Sequence, residues 1–205
     1  MKLAACIVET RNIPDLENTI QRHMKFLPED TDLHLWVGSE TEYLAEKFPN
    51  ATVRMIVDMS IQKYNQLLTS INFWNLYLDY DRVLIFQSDS TILRRGIEDF
   101  FQCDFVGAPW VWQWWGFNGG FSLRNPRVMK EISEKYPFNV TLGNEDVYYC
   151  NIMYQKKIGK LASRELGFKF AAEGIFKLGS FGSHATGVWL SKDECNKIKT
   201  QYDEK

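Results

Sequence analysis

Between residues 1 and 90 the chain switches repeatedly between two hydrophobic periods, and this alternation limits the fold more than any other feature of the sequence. "KLAACIV" (Lys2–Val8) reads as a strand and is followed by an amphipathic run from Pro14 to Lys25. "DLHLWV" (Asp32–Val37) precedes a short helical stretch at Glu40–Lys47, and "TVRMIV" (Thr52–Val57) follows. Tyr64, Leu67, Leu68, Ile71, Asn75 and Leu78 then fall at i, i+3, i+4, i+7, i+11 and i+14. That spacing predicts one face of a long helix, with Asn75 its one polar member. The run Val83–Phe86 is a fourth strand. A β-α-β-α-β-α-β order implies a mainly parallel sheet with right-handed crossovers, flanked by helices. Past residue 90 the alternation fades. "CDFVGAPW" and "GGFSLR" read as further strands, and helices are expected at Pro126–Glu134, Glu145–Lys156 and Ser191–Tyr202. No repeat or linker divides the chain, so a single α/β domain is expected.

Composition narrows the class. The chain has 205 residues, enough for one domain with a substantial core. A formal net charge of −2 gives no electrostatic reason to bind nucleic acid. No apolar stretch approaches the ~20 residues of a transmembrane helix. The N-terminus reads as a first strand rather than a signal peptide. Four cysteines lie far apart with no CxxC pair, which argues against structural zinc and a disulfide framework and for free thiols in a reducing compartment. The sequons at Asn50 and Asn139 are read as chance.

Several polar clusters fall where strands end. In "RVLIFQSDSTIL" the apolar run stops at Gln87-Ser88-Asp89, and Glu9-Thr10-Arg11 follows the first strand. Open α/β sheets bind ligands beyond the carboxyl ends of their strands; a lone Asp there serves equally as a turn or cap residue. "GNEDVYY" places Glu145 and Asp146 at a helix start, where Asn144 is a good cap and acids suit the dipole. "WVWQWWGFNGG" holds four of the seven tryptophans. Strand neighbours face opposite sides, so they cannot all point inward. Those exposed, among Trp112, Trp114 and Trp115, could lie against a sugar face.

Taken together, the strand end "YDRVLIFQSDS", "DFVGAPW", "NGGFSLR", "NED" and the late "HATG" resemble glycosyltransferases of the GT-A fold. The resemblance runs from about Lys2 to Leu190 and looks closest to small viral and microbial members, including those that act on chlorovirus capsid glycans. It implies a nucleotide-binding half at residues 1–90 and an acceptor and catalytic half at 91–205. It also implies transfer of a hexose or deoxyhexose from a nucleoside-diphosphate sugar, taken as a UDP-sugar, to a glycan or glycoprotein. The family's Asp-x-Asp falls on Gln87-Ser88-Asp89, leaving Asp89 as its one anionic metal ligand, with Gln87 able to bond a ribose hydroxyl or a metal-bound water. The His-x-x-Gly of some members falls on His184, without the Lys-Pro-Trp that follows it there. One carboxylate and one imidazole lean toward Mn²⁺ over Mg²⁺. By the same carry-over Asp146 is the general base of an inverting reaction, and Glu145 orients the acceptor or the base. Thr10, Arg11, Tyr64, Asn65 and Ser88 would contact the nucleotide, although Tyr64 serves equally as core. Asn118, Gly119 and Gly120 would let the backbone approach the donor sugar or the acceptor closely, and Trp112, Trp114 and Trp115 would take the acceptor. A cytoplasmic location is expected (the host cytoplasm for a viral member), and the chain ending is compatible with a longer protein carrying further domains.

Of two enzymatic rivals, the sequence ranks one well below and excludes the other. A nucleotidyltransferase would carry a Gly-rich loop after the first strand, whereas "VETRNIPDLE" has no glycine. A P-loop NTPase lacks its G-x-x-x-x-G-K-[ST]. A non-catalytic carbohydrate- or nucleotide-sugar-binding module on the same fold stays open, because Gln87 replaces an acid.

Overall fold

The computed structural model describes residues 1–200. β1 (Leu3–Glu9), α1 (Leu16–Phe26), β2 (Asp32–Val37), α2 (Leu44–Lys47) and β3 (Thr52–Met55) follow one another as the alternating pattern requires. α3 (Ile61–Leu68) and α4 (Ile71–Asn75) lead into β4 (Arg82–Phe86). β1 lies between β2 and β4, parallel to both, and β3 pairs in parallel with β2. The chain then forms β5 (Ser90–Ile92), β6 (Phe105–Pro109) and β7 (Phe117–Arg124). β7 runs antiparallel between β4 and β6, which gives a six-stranded sheet in the order β3-β2-β1-β4-β7-β6. β7 is the one strand of this sheet that runs against the rest, so the sheet is mainly parallel.

Strands covered on both faces read as continuous apolar runs. Every residue of "LAACIVE" in β1 is buried. One face carries α1, with Leu16 and Ile20 in a core shared with Leu35, Phe86 and Phe121. The other face carries α3, α4, α5 (Pro126–Lys135) and α6 (Glu145–Lys156), whose Phe73, Trp74, Met129 and Tyr149 pack on Cys6, Val83 and Ile85.

The long helix expected around residues 64–78 is instead two short ones. Thr69 donates its hydroxyl to the Asn65 carbonyl, and Ser70 caps α4 by accepting from the Phe73 N–H. The break turns the buried face: past it, Phe73, Trp74 and Tyr77 point inward while Ile71 is exposed. Side-chain bonding to the backbone is how Ser and Thr interrupt helices.

Beyond α6 the chain forms α7 (Arg164–Phe170), β8 (Ala171–Ala172), β9 (Gly182–His184), α8 (Thr186–Trp189) and α9 (Lys192–Thr200). Residues 201 and 202 of the expected last helix lie outside the described residues. A second sheet, in the order β5-β9-β8, has no counterpart in the sequence-based reading. Its strands are two or three residues long, too short for a hydrophobic period to declare. It positions the site: Ser90 stands opposite His184, and the Ala185 N–H donates to the Asp89 carbonyl.

Candidate functional site

Beyond the carboxyl ends of β1 and β4 lies a cavity of about 550 Å³, within the ~300–1,000 Å³ usual for small-molecule sites. Its walls come from the loop after β1, α3, the β4–β5 corner, β7, the start of α6 and β9.

At the β5–β9 corner His184 Nε2 is 3.3 Å from Asp89 Oδ1 and 3.1 Å from Gln87 Oε1. On the other side of the ring, Nδ1 is 3.6 Å from Glu173 Oε2, an ion-pair contact too long for a hydrogen bond. Burial works against a charged His184, yet Asp89 and Glu173 outweigh it and raise its pKa to about 9. Asp89 is held below the usual carboxylate range, mainly by its hydrogen bond to His184.

This corner fits a divalent ion once His184 gives up its Nε2 proton, since a metal takes only the neutral imidazole. Neighbouring ligands of an octahedral ion bound at about 2.1 Å stand about 3 Å apart, close to the separations at Nε2. One carboxylate, one imidazole and one amide oxygen form the mixed set that Mn²⁺ accepts. The Glu173 carboxylate behind the ring resembles the outer partner that orients a metal-ligating histidine. Among the described residues no cluster of three or more His, Cys, Asp or Glu could hold a metal unaided. The remaining positions would therefore fall to ligand oxygens or water.

The two acids at the start of α6 have different environments. Glu145 forms a bidentate ion pair with the fully buried Arg124, at 2.6 and 3.0 Å. Arg124 also donates to the Gly119 carbonyl and the Ser122 hydroxyl. Both oxygens of Glu145 are thus committed to the interior, which suits a structural role rather than contact with an acceptor. Asp146 accepts from the N–H groups of Gly119 and Val147. Burial first, and the neighbouring Glu145 carboxylate second, push its pKa up to about 7. A carboxyl poised there can take a proton near neutrality.

Asn144 is the N-cap of α6 but makes no capping bond of its own. Asn65, from α3, holds this helix start by accepting from the Glu145 N–H and donating to the Asn144 side chain. Expected as a nucleotide contact, Asn65 lines the cavity with its amide already engaged. Thr10 accepts from the Met59 N–H, and Arg11 grips Glu9 at 2.8 and 2.9 Å while most of its side chain stays exposed at the rim. Ser88 and Tyr64 also line the cavity; the buried Tyr64 hydroxyl finds no partner within hydrogen-bond distance among the described residues.

Gly119 and Gly120 are glycine because of the protein's own side chains. A Cβ on Gly119 would sit 2.2 Å from Glu145 Oε1, and one on Gly120 would sit 2.3 Å from His184 Nε2. Asn118 ties this turn down, accepting from the Gly120 N–H and donating to Glu173.

A second recess of about 190 Å³ adjoins the first, and Asn118, Asn144 and Asp146 line both. The tryptophan cluster divides around it. Trp110 is buried and stacks on Trp112, with ring centres 4.3 Å apart. Trp112 lines the recess, whereas Trp115 stacks on Tyr154 of α6 at 4.6 Å and Trp114 meets the same ring edge-on. Neither Trp114 nor Trp115 lines either cavity.

Reading the sequence missed Arg124, Glu173 and Trp189. Arg124 closes the apolar strand "FNGGFSLR", and a cation there is the one signal that could have marked it. Glu173 lies in an irregular segment and Trp189 ends the four-residue helix α8, both too short to carry a pattern.

In three dimensions the chain is similar to the glycosyltransferase GlyE of Streptococcus pneumoniae TIGR4. Against the apo form the TM-score is 0.58 at 12% identity, covering 94% of this chain and 55% of that one. The mannosyltransferase PcManGT from Pyrobaculum calidifontis, solved with GDP-Man and Mn²⁺, gives 0.51 at 10% identity over 80% of this chain and 55% of that one. Likeness at such identities shows the fold, and the chain spans just over half the length of these proteins. No curated protein matches the sequence. A family model described as "Protein of unknown function (DUF5672)" matches residues 46–184.

Proposed function

The chain belongs to the DUF5672 family, and we propose that it is a glycosyltransferase that moves a hexose or deoxyhexose from a nucleoside-diphosphate sugar to a hydroxyl of a glycan or glycoprotein. The observation that carries this reading is the position of Asp146: one buried carboxylate with a pKa of about 7 lines both recesses. A base there can serve a reaction between two molecules seated side by side.

The larger recess takes the donor, with its nucleotide toward Thr10, Arg11 and Ser88 and its diphosphate toward Asp89 and His184. Asp89, His184 and Gln87 would hold Mn²⁺, which supplies Lewis-acid stabilisation of the leaving diphosphate. Asp146 accepts the proton of the acceptor hydroxyl as its oxygen bonds to the anomeric carbon. The anomeric carbon–oxygen bond to the diphosphate breaks, and the diphosphate leaves with the electron pair. Attack from the opposite face inverts the anomeric configuration. UDP as the nucleotide and likeness to the chlorovirus transferases rest on the order of motifs alone.

The test is hydrolysis and transfer from a panel of UDP-, GDP- and dTDP-sugars, with Mn²⁺ or with EDTA, in wild type and in Asp146→Asn. Turnover of one donor, stimulated by Mn²⁺ and lost in the variant, supports the reading. Gln87 in place of an acid favours a second reading, a non-catalytic module. Nucleotide-sugar binding without turnover would select it.

A further inference from the structure

The smaller recess has a chemistry of its own. Two of its walls are indoles over half exposed, Trp112 at 58% and Trp189 at 59%. Trp110 covers one face of Trp112. Arg164 pins the tryptophan loop by donating to the carbonyls of Trp110 and Gln113, both at 3.0 Å. Trp189 arrives from α8, beyond the metal corner in sequence. Gly174 also lines the recess, and a Cβ there would lie 2.8 Å from Val111 and 3.8 Å from Trp189, so a side chain would narrow the space.

The polar side chains of this recess are Asp146, Glu173 and the amides of Asn118 and Asn144; among the described residues its lining has no Lys, Arg or His. Exposed aromatic faces next to acceptor-rich carboxylates match a molecule with an apolar C–H face and a rim of hydroxyl donors. At and above pH 7, where Asp146 is ionised, those carboxylates repel anions, which disfavours phosphorylated groups, acidic sugars and an anionic membrane surface. A volume of about 190 Å³ is well below the ~300–1,000 Å³ of larger ligand sites and suits one ring.

We infer that this recess binds the neutral terminal pyranose of a glycan acceptor, with Trp112 and Trp189 against its C–H faces and one of its hydroxyls directed at Asp146. This rests on the transferase reading for the word acceptor, but not for the binding of the sugar. The substrate class is thereby a neutral glycan end rather than a peptide side chain or an acidic sugar.

The experiment is saturation-transfer NMR on the full chain. The probes are the methyl pyranosides of glucose, galactose, mannose, fucose and rhamnose, with methyl glucuronide and mannose 6-phosphate as anionic arms. UDP with Mn²⁺ is followed in the same samples. At least one neutral pyranoside should bind through its ring C–H protons and lose at least tenfold in affinity in Trp112→Ala and in Trp189→Ala. Trp189→Phe should recover to within threefold, which separates stacking from misfolding. Absence of binding by every neutral pyranoside, binding that survives both alanine variants, or preference for an anionic arm would overturn the inference. If pyranosides bind as expected but UDP and every nucleotide sugar fail to bind, the recess stands and the transferase reading falls. Nucleotide-sugar turnover without pyranoside binding has the opposite meaning.

Discussion

At Asp146 the proposed role as base and the stability of the fold make opposite demands. An ordinary Asp ionises near 3.8, whereas in the fold this one ionises near 7. Below pH 4 it is neutral in both states. Between pH 4 and 7 the unfolded chain releases the proton that the fold retains, so stability falls as pH rises and the loss is complete above about 7. The gap amounts to about 4 kcal/mol. Asp146→Asn removes that penalty, but Asn has one acceptor oxygen for the two N–H groups, which returns about 1–3 kcal/mol. The variant should therefore be more stable than wild type by about 1–3 kcal/mol at pH 8 and less stable than it by about 1–3 kcal/mol at pH 3.5, where only the lost acceptor counts, as urea titrations at both pH values would show. Its kcat should fall by about 10²–10⁴, and wild-type kcat/KM should rise with pH through about 7, the range in which the base becomes available. A residue that merely caps α6 would give a variant less stable at both pH values and no such pH profile. The sequence marked Asp146 by its place in "NED"; it could not mark the burial that moves its pKa.

The element that presents Asp146 is held by residues remote from it. Helix α6 has the limits its pattern predicts, Glu145–Lys156, because a helix start with two acids reads locally. Its fixing does not read locally: Asn65 and Arg124 reach it from α3 and β7. Glu145, whose environment the sequence leaves open, is the counter-ion of a buried guanidinium, and breaking such a pair costs about 3–5 kcal/mol. Glu145→Ala should therefore destabilise by about that amount, opposite in sign to Asp146→Asn one residue away. The double variant Arg124→Met with Glu145→Met should recover most of the loss, since a well-packed apolar pair can replace a buried ion pair. Equal urea midpoints for Glu145→Ala and wild type would show that the pair contributes nothing. The helix break at Thr69–Ser70 belongs to this scale too: the apolar spacing ran on through it, and hydroxyl bonds to the backbone decided otherwise.

Across the whole molecule, the parallel half of the large sheet was legible because β1, β2 and β4 are each long enough to show a buried run, with the half-exposed β3 marked by its place in the alternation. The small sheet was not, and it is what carries residue 89 to residue 184. Asp89 leaves the end of β4, the chain enters β5 at once, and β9 returns antiparallel so that His184 stands opposite Ser90. If the two sheets exist to close one ion site, Asp89 and His184 act as a unit. Losing an outer partner of a metal ligand costs about 10–100-fold, so Asp89→Asn and His184→Ala should each weaken Mn²⁺-dependent UDP binding by at least about tenfold. The double variant should lose little more than the worse single one, because an ion already released cannot be released again. With EDTA all three should bind UDP as wild type does, since neither side chain then contributes through an ion. Isothermal titration of UDP under both conditions reads the cycle directly. Losses that add in full, or persist undiminished in EDTA, would mean that Asp89 and His184 meet UDP separately and that the β5–β9 corner is not an ion site.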